Sequence, residues 1–119
     1  MQLTRTLTVL AEGVLWRATH LTSLGQRLVT ALGETDENVR SVAGIMLAKG
    51  GRAAVPLLYR ALAERSNLPA VLSLLGDVGD ASVEKELARF TSDNDEKISR
   101  AAKDALRVLA LRHRAPQTN

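Results

Sequence analysis

Two histidines, one run of acids and two glycine-bearing segments are the places where this 119-residue chain has the residue types for chemistry. His20 and His113 stand near opposite ends. Neither has the H-x-x-x-H spacing that puts two imidazoles on one helical face for zinc. Asp93-Asn94-Asp95-Glu96 offers oxygen ligands, but a calcium-binding EF-hand loop needs an oxygen at its fifth position, where Lys97 stands here. Helix capping is the reading these acids support. Gly50-Gly51 and Gly76-Asp77-Val78-Gly79 follow no strand and lack the lysine and hydroxyl of a phosphate loop, so they read as turns. No G-x-S-x-G elbow occurs, and there is no cysteine to serve as nucleophile, thiolate ligand or disulfide partner. The expectation is a protein that is not an enzyme and holds neither metal nor cofactor.

The elements that would position these residues follow from length and pattern. A chain of this size is one domain and buries about two thirds of its unfolded surface. The opening run MQLTRTLTVLAEGVLW has a signal-like Arg5 and apolar stretch, but Glu12 and Arg17 interrupt it. No stretch approaches the ~18 apolar residues of a membrane span. The chain is therefore expected to be soluble and cytoplasmic, without membrane contact. The net charge is +3, from 16 basic and 13 acidic residues, a modest excess for nucleic-acid binding. From Asp77 to Glu96 acids outnumber Lys85 and Arg89, whereas Lys97 to Arg114 is basic apart from Asp104. That order complements a helix dipole, negative at the start and positive toward the end.

Apolar spacing predicts helices throughout and no strand. Leu3, Leu7, Leu10 and Val14 form the stripe of a first helix ending near Thr19. Leu21, Leu24 and Leu28 would extend that stripe as one long helix; against this, Arg17 would fall on its seam and Ser23-Leu24-Gly25-Gln26 has the form of a capping box for a second helix from near Leu24 to Leu32, with Gly33 as its stop. Thr35 or Asp36 caps a third, with Val39, Ala43, Met46 and Leu47 inward and Gly50-Gly51 breaking it. Pro56 falls in the first turn of a fourth, whose inner face carries Ala54, Leu57, Leu58, Ala61 and Leu62. Ser66 is the expected cap of a fifth, with Pro69 in its first turn, and Asp80 that of a sixth carrying Val83, Leu87 and Phe90. Asp93 or Asp95 opens a seventh with Ile98, Ala102, Ala105, Leu106 and Leu109 inward. The fold class is all-α, and residues 114–119 read as a flexible tail.

The chain also repeats itself. A shift of 29 places Gly50 on Gly79, Ala54 on Val83, Leu58 on Leu87 and Ala43 on Leu72; a shift of 59 places Asp36 on Asp95 and Val39 on Ile98. Shifted back by 29, Val39 falls on Leu10. The units are hairpins at about 3–33, 36–65 and 66–91, followed by a final helix at 93–113, and such hairpins are stable only when stacked. DENVRSVAG…LAKGGRAAVPLL, LLGDVGDASVEKEL and DEKISRAAKDAL resemble HEAT repeats, in particular the short, about 30-residue type of phycobilisome lyase subunits. The shared pattern is an acidic cap, an aliphatic residue and a basic one (Asp36, Val39, Arg40), then a Leu-Gly-Asp-x-Gly-Asp turn from Leu75 to Asp80. The resemblance implies a right-handed α-solenoid of about seven helices that binds other macromolecules, and no catalytic residues. It also implies that the second helix of each hairpin lines the concave side.

In the 29-residue register that side carries Arg27, Pro56 and Lys85 in one row, Ala31, Arg60 and Arg89 in another, and Thr30, Tyr59 and Ala88 in a third. With Arg52, the candidate partner-binding residues are Arg27, Arg52, Tyr59, Arg60, Lys85 and Arg89. They suit a scaffold that mediates protein–protein interaction, for example with an acidic segment. Nucleic-acid binding through phosphate contacts is the alternative. Val108 and Leu111 on the last helix suggest a homodimer through an exposed end of the stack. Trp16 is expected to be half-buried, with a partner anchor as the alternative role.

Overall fold

Four buried triplets set the architecture: Val9, Gly13, Trp16; Val39, Ala43, Met46; Leu68, Leu72, Leu75; and Ile98, Ala102, Ala105. They recur at intervals of 30, 29 and 30 residues. In each, spacings of four and then three put the side chains on one helical face. The computed structural model describes residues 2–114. It contains α1 (Gln2–Thr19), α2 (Thr22–Ala31), α3 (Glu37–Lys49), α4 (Val55–Glu64), α5 (Leu68–Val78), α6 (Glu84–Arg89) and α7 (Glu96–Arg114). There is no strand among the described residues, and none of their helices is long and apolar enough to cross a membrane. The tail expected at 114–119 lies outside the described residues but for Arg114, which ends α7.

Each triplet marks a helix of one row, in which α1 packs on α3, α3 on α5 and α5 on α7. Behind it, α2 lies against α1, α3 and α4, while α4 also meets α5 and α6 meets α7. The molecule measures 39 × 38 × 21 Å, its short dimension matching two helix diameters of about 10 Å each. Short 3-10 turns at Gly51–Ala54 and Ala81–Val83 lead into α4 and α6 and bury Ala54 and Val83 completely. This bears out the 29-residue shift between those two hairpins.

The first hairpin departs from expectation. Leu3, Leu7, Leu10 and Val14, the expected inner stripe, are 67, 55, 42 and 56% exposed. Val9 and Trp16 are the buried side chains instead. The partner helices make this choice. Gly13 has no side chain, so Met46 of α3 lies directly on the α1 backbone; a Cβ there would sit 2.7 Å from Met46 Cβ. Trp16 is 2% exposed, not half-buried. Its indole fills a notch between Gly25 of α2 and Gly50 at the end of α3, where added methyl groups would strike the ring. The interval from this hairpin to the next is consequently 30 residues, pairing Leu28 with Leu58, Ala31 with Ala61 and Leu32 with Leu62, all buried.

Local chemistry explains the ends of the helices. Asp36 Oδ1 accepts from the amides of Asn38 (2.7 Å) and Val39 (3.1 Å), and Asp95 Oδ1 from that of Lys97 (2.9 Å). Asp80 accepts from the Ser82 amide at 2.9 Å and so starts the 3-10 turn ahead of α6. Gly51 takes φ +56°, the left-handed conformation that turns the chain after α3. The capping box at Ser23 does not form. His20 (φ 56°) turns the chain early, so α2 already begins at Thr22 behind an extended Leu21 and has no side-chain cap. Gly33 lies two residues beyond the last residue of α2 and its bareness serves packing, since a Cβ would meet Asn67 Oδ1 at 2.8 Å. Asn67 rather than Ser66 stands at the cap position of α5, also without a side-chain bond. Gly76, read as part of a turn, lies inside α5 against the α7 backbone, where an added Cβ would be 2.8 Å from the Ala105 carbonyl oxygen. Arg112 of α7 donates to the carbonyls of Gly76 and Gly79, both at 2.8 Å, and so satisfies the open end of α5.

Helix propensity alone says that alanine in place of a helical glycine stabilises by about 1 kcal/mol. At Gly25 the notch reverses the sign. Gly25→Ala and Gly50→Ala are each expected to destabilise by about 1–3 kcal/mol through overpacking. Urea unfolding followed by circular dichroism and by Trp16 fluorescence measures this, and unchanged midpoints would refute the notch.

Candidate functional site

The surface most shaped for binding is a groove between α2 and α4. One hollow of about 260 Å³ is lined by Gln26, Val29, Thr30, Leu57, Arg60, Ala61, Glu64, Ser66 and Asn67. A second of about 300 Å³ is lined by Trp16, His20, Thr22, Gln26, Ala53, Pro56, Leu57 and Arg60. They share Gln26, Leu57 and Arg60 and so form one depression. Pro56 joins it to a third hollow of about 290 Å³, beside Arg52, Val55, Val78, Asp80, Ser82 and Val83.

The helices place these side chains by default of the core. Leu58, Ala61 and Leu62 of α4 are turned inward, which leaves Leu57 partly exposed and Arg60 at the surface on the side toward α2. Leu28 and Ala31 do the same for α2 and present Gln26 and Thr30 to the groove. The apolar lining is Val29, Leu57 and Ala61 in the first hollow and Leu57, Ala53, Pro56 and Trp16 in the second. The rim carries amide and hydroxyl groups (Gln26, Thr30, Asn67) and two opposite charges, Arg60 and Glu64, 3.4 Å apart. At the far mouth His20 meets the Trp16 ring edge-on, with centroids 6.2 Å apart.

The six sequence candidates do not form one cluster. Arg60 and, through Pro56, Arg52 border the groove. Arg27 borders a neighbouring hollow with Arg5 and Glu12 on the α1 side, which meets the groove at Gln26 and Thr30. The 30-residue interval explains this: Gln26, not Arg27, is the equivalent of Pro56, and Ala31, placed in the row of Arg60, is fully buried. Tyr59 is partly buried. Burial raises its phenol pKa, and the carboxylates of Glu86 and Asp80 raise it further. Lys85 and Arg89 are exposed on α6 and line none of these hollows.

The arginines are also paired. Arg27 meets Glu12 at 3.3 Å, Arg52 meets Asp80 at 3.6 Å, Arg60 meets Glu64, and Arg89 meets Glu86 at 3.1 Å. The face therefore alternates in sign instead of presenting one positive field. Exposed pairs of this kind are worth at most about 1 kcal/mol. Gln26, Leu57 and Asn67 were not legible as site residues, because they meet only across two helices and a loop. No group of acids and histidines able to hold a metal occurs among the described residues. Against protein-family models, curated proteins and solved structures, the chain has no match.

Two carboxylates near these surfaces have lowered pKa values. At Asp80 the Ser82 hydroxyl and amide bonds are the cause, helped by Arg52; at Asp93 it is the Asp95 amide and then Arg65, 3.0 Å away. A depressed folded-state pKa adds stability above the unfolded value and loses it as pH falls through the folded one. Melting temperature is thus expected to drop as pH is lowered from about 5 to 2. Asp80→Asn and Asp93→Asn should each make that drop shallower; variants with the wild-type slope would contradict the assignment.

Proposed function

We propose that the chain is a small HEAT-like scaffold, without catalysis, that holds an extended segment of another protein in the α2–α4 groove. The observation that carries this reading is the continuity of the hollows through Gln26, Leu57 and Arg60. A depression with an apolar floor and a hydrogen-bonding rim suits a peptide with one apolar anchor over Leu57 and polar groups along Gln26, Thr30 and Asn67. The recurrence of buried triplets every 29 or 30 residues, with an aspartate cap at Asp36 and Asp95, supports the HEAT-like assignment. Under that assignment the row α2, α4, α6 is the concave side of a right-handed stack. The paired arginines make an apolar anchor more important than overall partner acidity. They also weigh against phosphate-backbone binding, which gains its affinity from unpaired cations that release counterions.

Site-specific photo-crosslinking tests the reading. A photoreactive side chain at Gln26 or Arg60 is expected to give a crosslinked protein of one discrete mass in cells. The same group at Lys103, on the far face of α7, is not. Leu57→Glu, introduced with the Arg60 probe, should abolish the product. Equal crosslinking from all three positions, or none, defeats the proposal. Titration with duplex DNA at about 50 and 200 mM salt is expected to show no salt-dependent binding; tight binding that collapses at the higher salt would establish the nucleic-acid alternative instead.

A further inference from the structure

The exposed face of α1 carries Leu3, Leu7, Leu10 and Val14, between 42 and 67% exposed, with Leu15 on its flank. No described element packs on that face. It is also free of charge up to Arg17, for a structural reason. The ionic groups of α1 ahead of Arg17 turn aside to neighbouring segments, Arg5 to Glu34 and Glu12 to Arg27, both at 3.3 Å. The uncharged residues flanking the stripe ahead of Arg17 are Thr4, Thr6 and Ala11.

The spacing of the stripe is four, three, four, the a/d seam of a two-helix pairing and narrower than the stripe a helix needs against a globular core. It reads the same in both directions. We propose that α1 is the contact of a twofold-symmetric homodimer, with two copies of the helix packed antiparallel. In that register Leu7 meets the partner's Leu10 and Leu3 meets the partner's Val14, and symmetry repeats each contact. Arg17, the next seam position, falls past the end of the partner's stripe and keeps its charge in water.

Two features single out a second copy as the occupant. The face is self-complementary in shape and buries no unpaired charge against itself, whereas a groove or helix of another protein would have to supply this register independently. The helix carries only Arg17 and the Glu34-paired Arg5, fewer cations than the basic face that holds an amphipathic helix on an anionic membrane. An 18-residue helix is about 27 Å long. In this register about 14 of its residues, from Gln2 to Leu15, overlap the partner over about 21 Å; two such faces bury on the order of 1,000 Å² or less, at the small end of specific interfaces, so association no tighter than the micromolar range is expected. The opposite end of the row is built differently. On α7 the exposed side is charged, with Arg100 on Glu96 and Arg107 on Asp104 at 2.9 and 3.0 Å, and Val108 and Leu111 are isolated among these groups. The homodimer contact is therefore moved from the last helix to the first.

Sedimentation velocity from about 1 to 200 µM tests this, a span chosen around a micromolar Kd. The expected result is a shift from the 12.8 kDa monomer to twice that mass. Leu7→Glu or Leu10→Lys alone should weaken association at least tenfold, with the melting temperature of the dilute monomer unchanged because both side chains are exposed in the single chain. Leu7→Glu combined with Leu10→Lys in one chain should restore the dimer, since only the antiparallel register places Glu against Lys across the twofold axis. Leu111→Glu should leave the dimer intact. A wild type that stays monomeric at the highest concentration overturns the proposal. So does a dimer broken by Leu111→Glu but not by Leu7→Glu, or a monomer whose α1 partitions instead into neutral phosphatidylcholine vesicles.

Discussion

The indole of Trp16 occupies the junction at which the first four helices are held to one another. It reaches from α1 across α2 at Gly25 and over the end of α3 at Gly50, and Leu57 of α4 closes on the same glycine of α2. A tryptophan is the largest side chain available, and its complete burial brings more apolar area into the core than any other single residue. That benefit exists only because two neighbouring positions have no side chain. The notch also determines rotation. With Trp16 seated, Val9 and Gly13 must face α3, the backbone of α1 must approach Met46, and Leu3, Leu7, Leu10 and Val14 must point away. One packing event thus positions the second row of helices, the far mouth of the groove and the exposed stripe.

At the other end a similar economy operates with smaller residues. Gly76 allows α5 and α7 to come together at backbone distance, and alanines at 102 and 105 keep the approach open. Close packing brings Arg112 within reach of the carbonyls that α5 leaves unpaired, so its guanidinium serves a neighbouring helix instead of the solvent. Ion pairs such as Arg5–Glu34 and Arg65–Asp93 tie a helix or helix end to a loop about 28 or 29 residues away. They arise from the stacking interval itself. Of the basic residues that suggested a positive face, Arg52 pairs across such an interval with Asp80, while Arg27, Arg60 and Arg89 pair at shorter range with Glu12, Glu64 and Glu86.

Much of the architecture was legible from local signals. The aspartates at 36, 80 and 95 cap because a carboxylate two residues ahead of a free amide has no better partner, whatever the rest of the chain does. Gly51 breaks α3 because its backbone can take a positive φ without a side-chain clash. The inner faces of α3, α4, α6 and α7 were largely readable from a single apolar stripe, although Leu57, Phe90 and Leu106 are only partly buried; α5 is buried on most of its sides and has no single stripe. The groove was half legible: Arg60 and Arg52 stand at it, while Gln26 and Leu57 become site residues only once α2 and α4 lie side by side.

The sequence by itself determined the all-helical class and most of the helix ends, which depend on interactions within a few residues, and the 29-residue interval of the later hairpins; the break between α1 and α2 rests on the left-handed His20. Tertiary structure alone decided which of two stripes on α1 turns inward. Both have valid helical spacing, and the one with four large aliphatic side chains is the more apolar by composition. It loses because burial requires a complementary surface, and the notch formed by Gly25 and Gly50 accepts an indole on the other face. The same choice moved the register of the first hairpin by one residue. About 100° of rotation on a helix put Gln26 in the groove where Arg27 was expected, moved Arg27 to the adjoining hollow, and left an uncharged stripe of leucines on the outside.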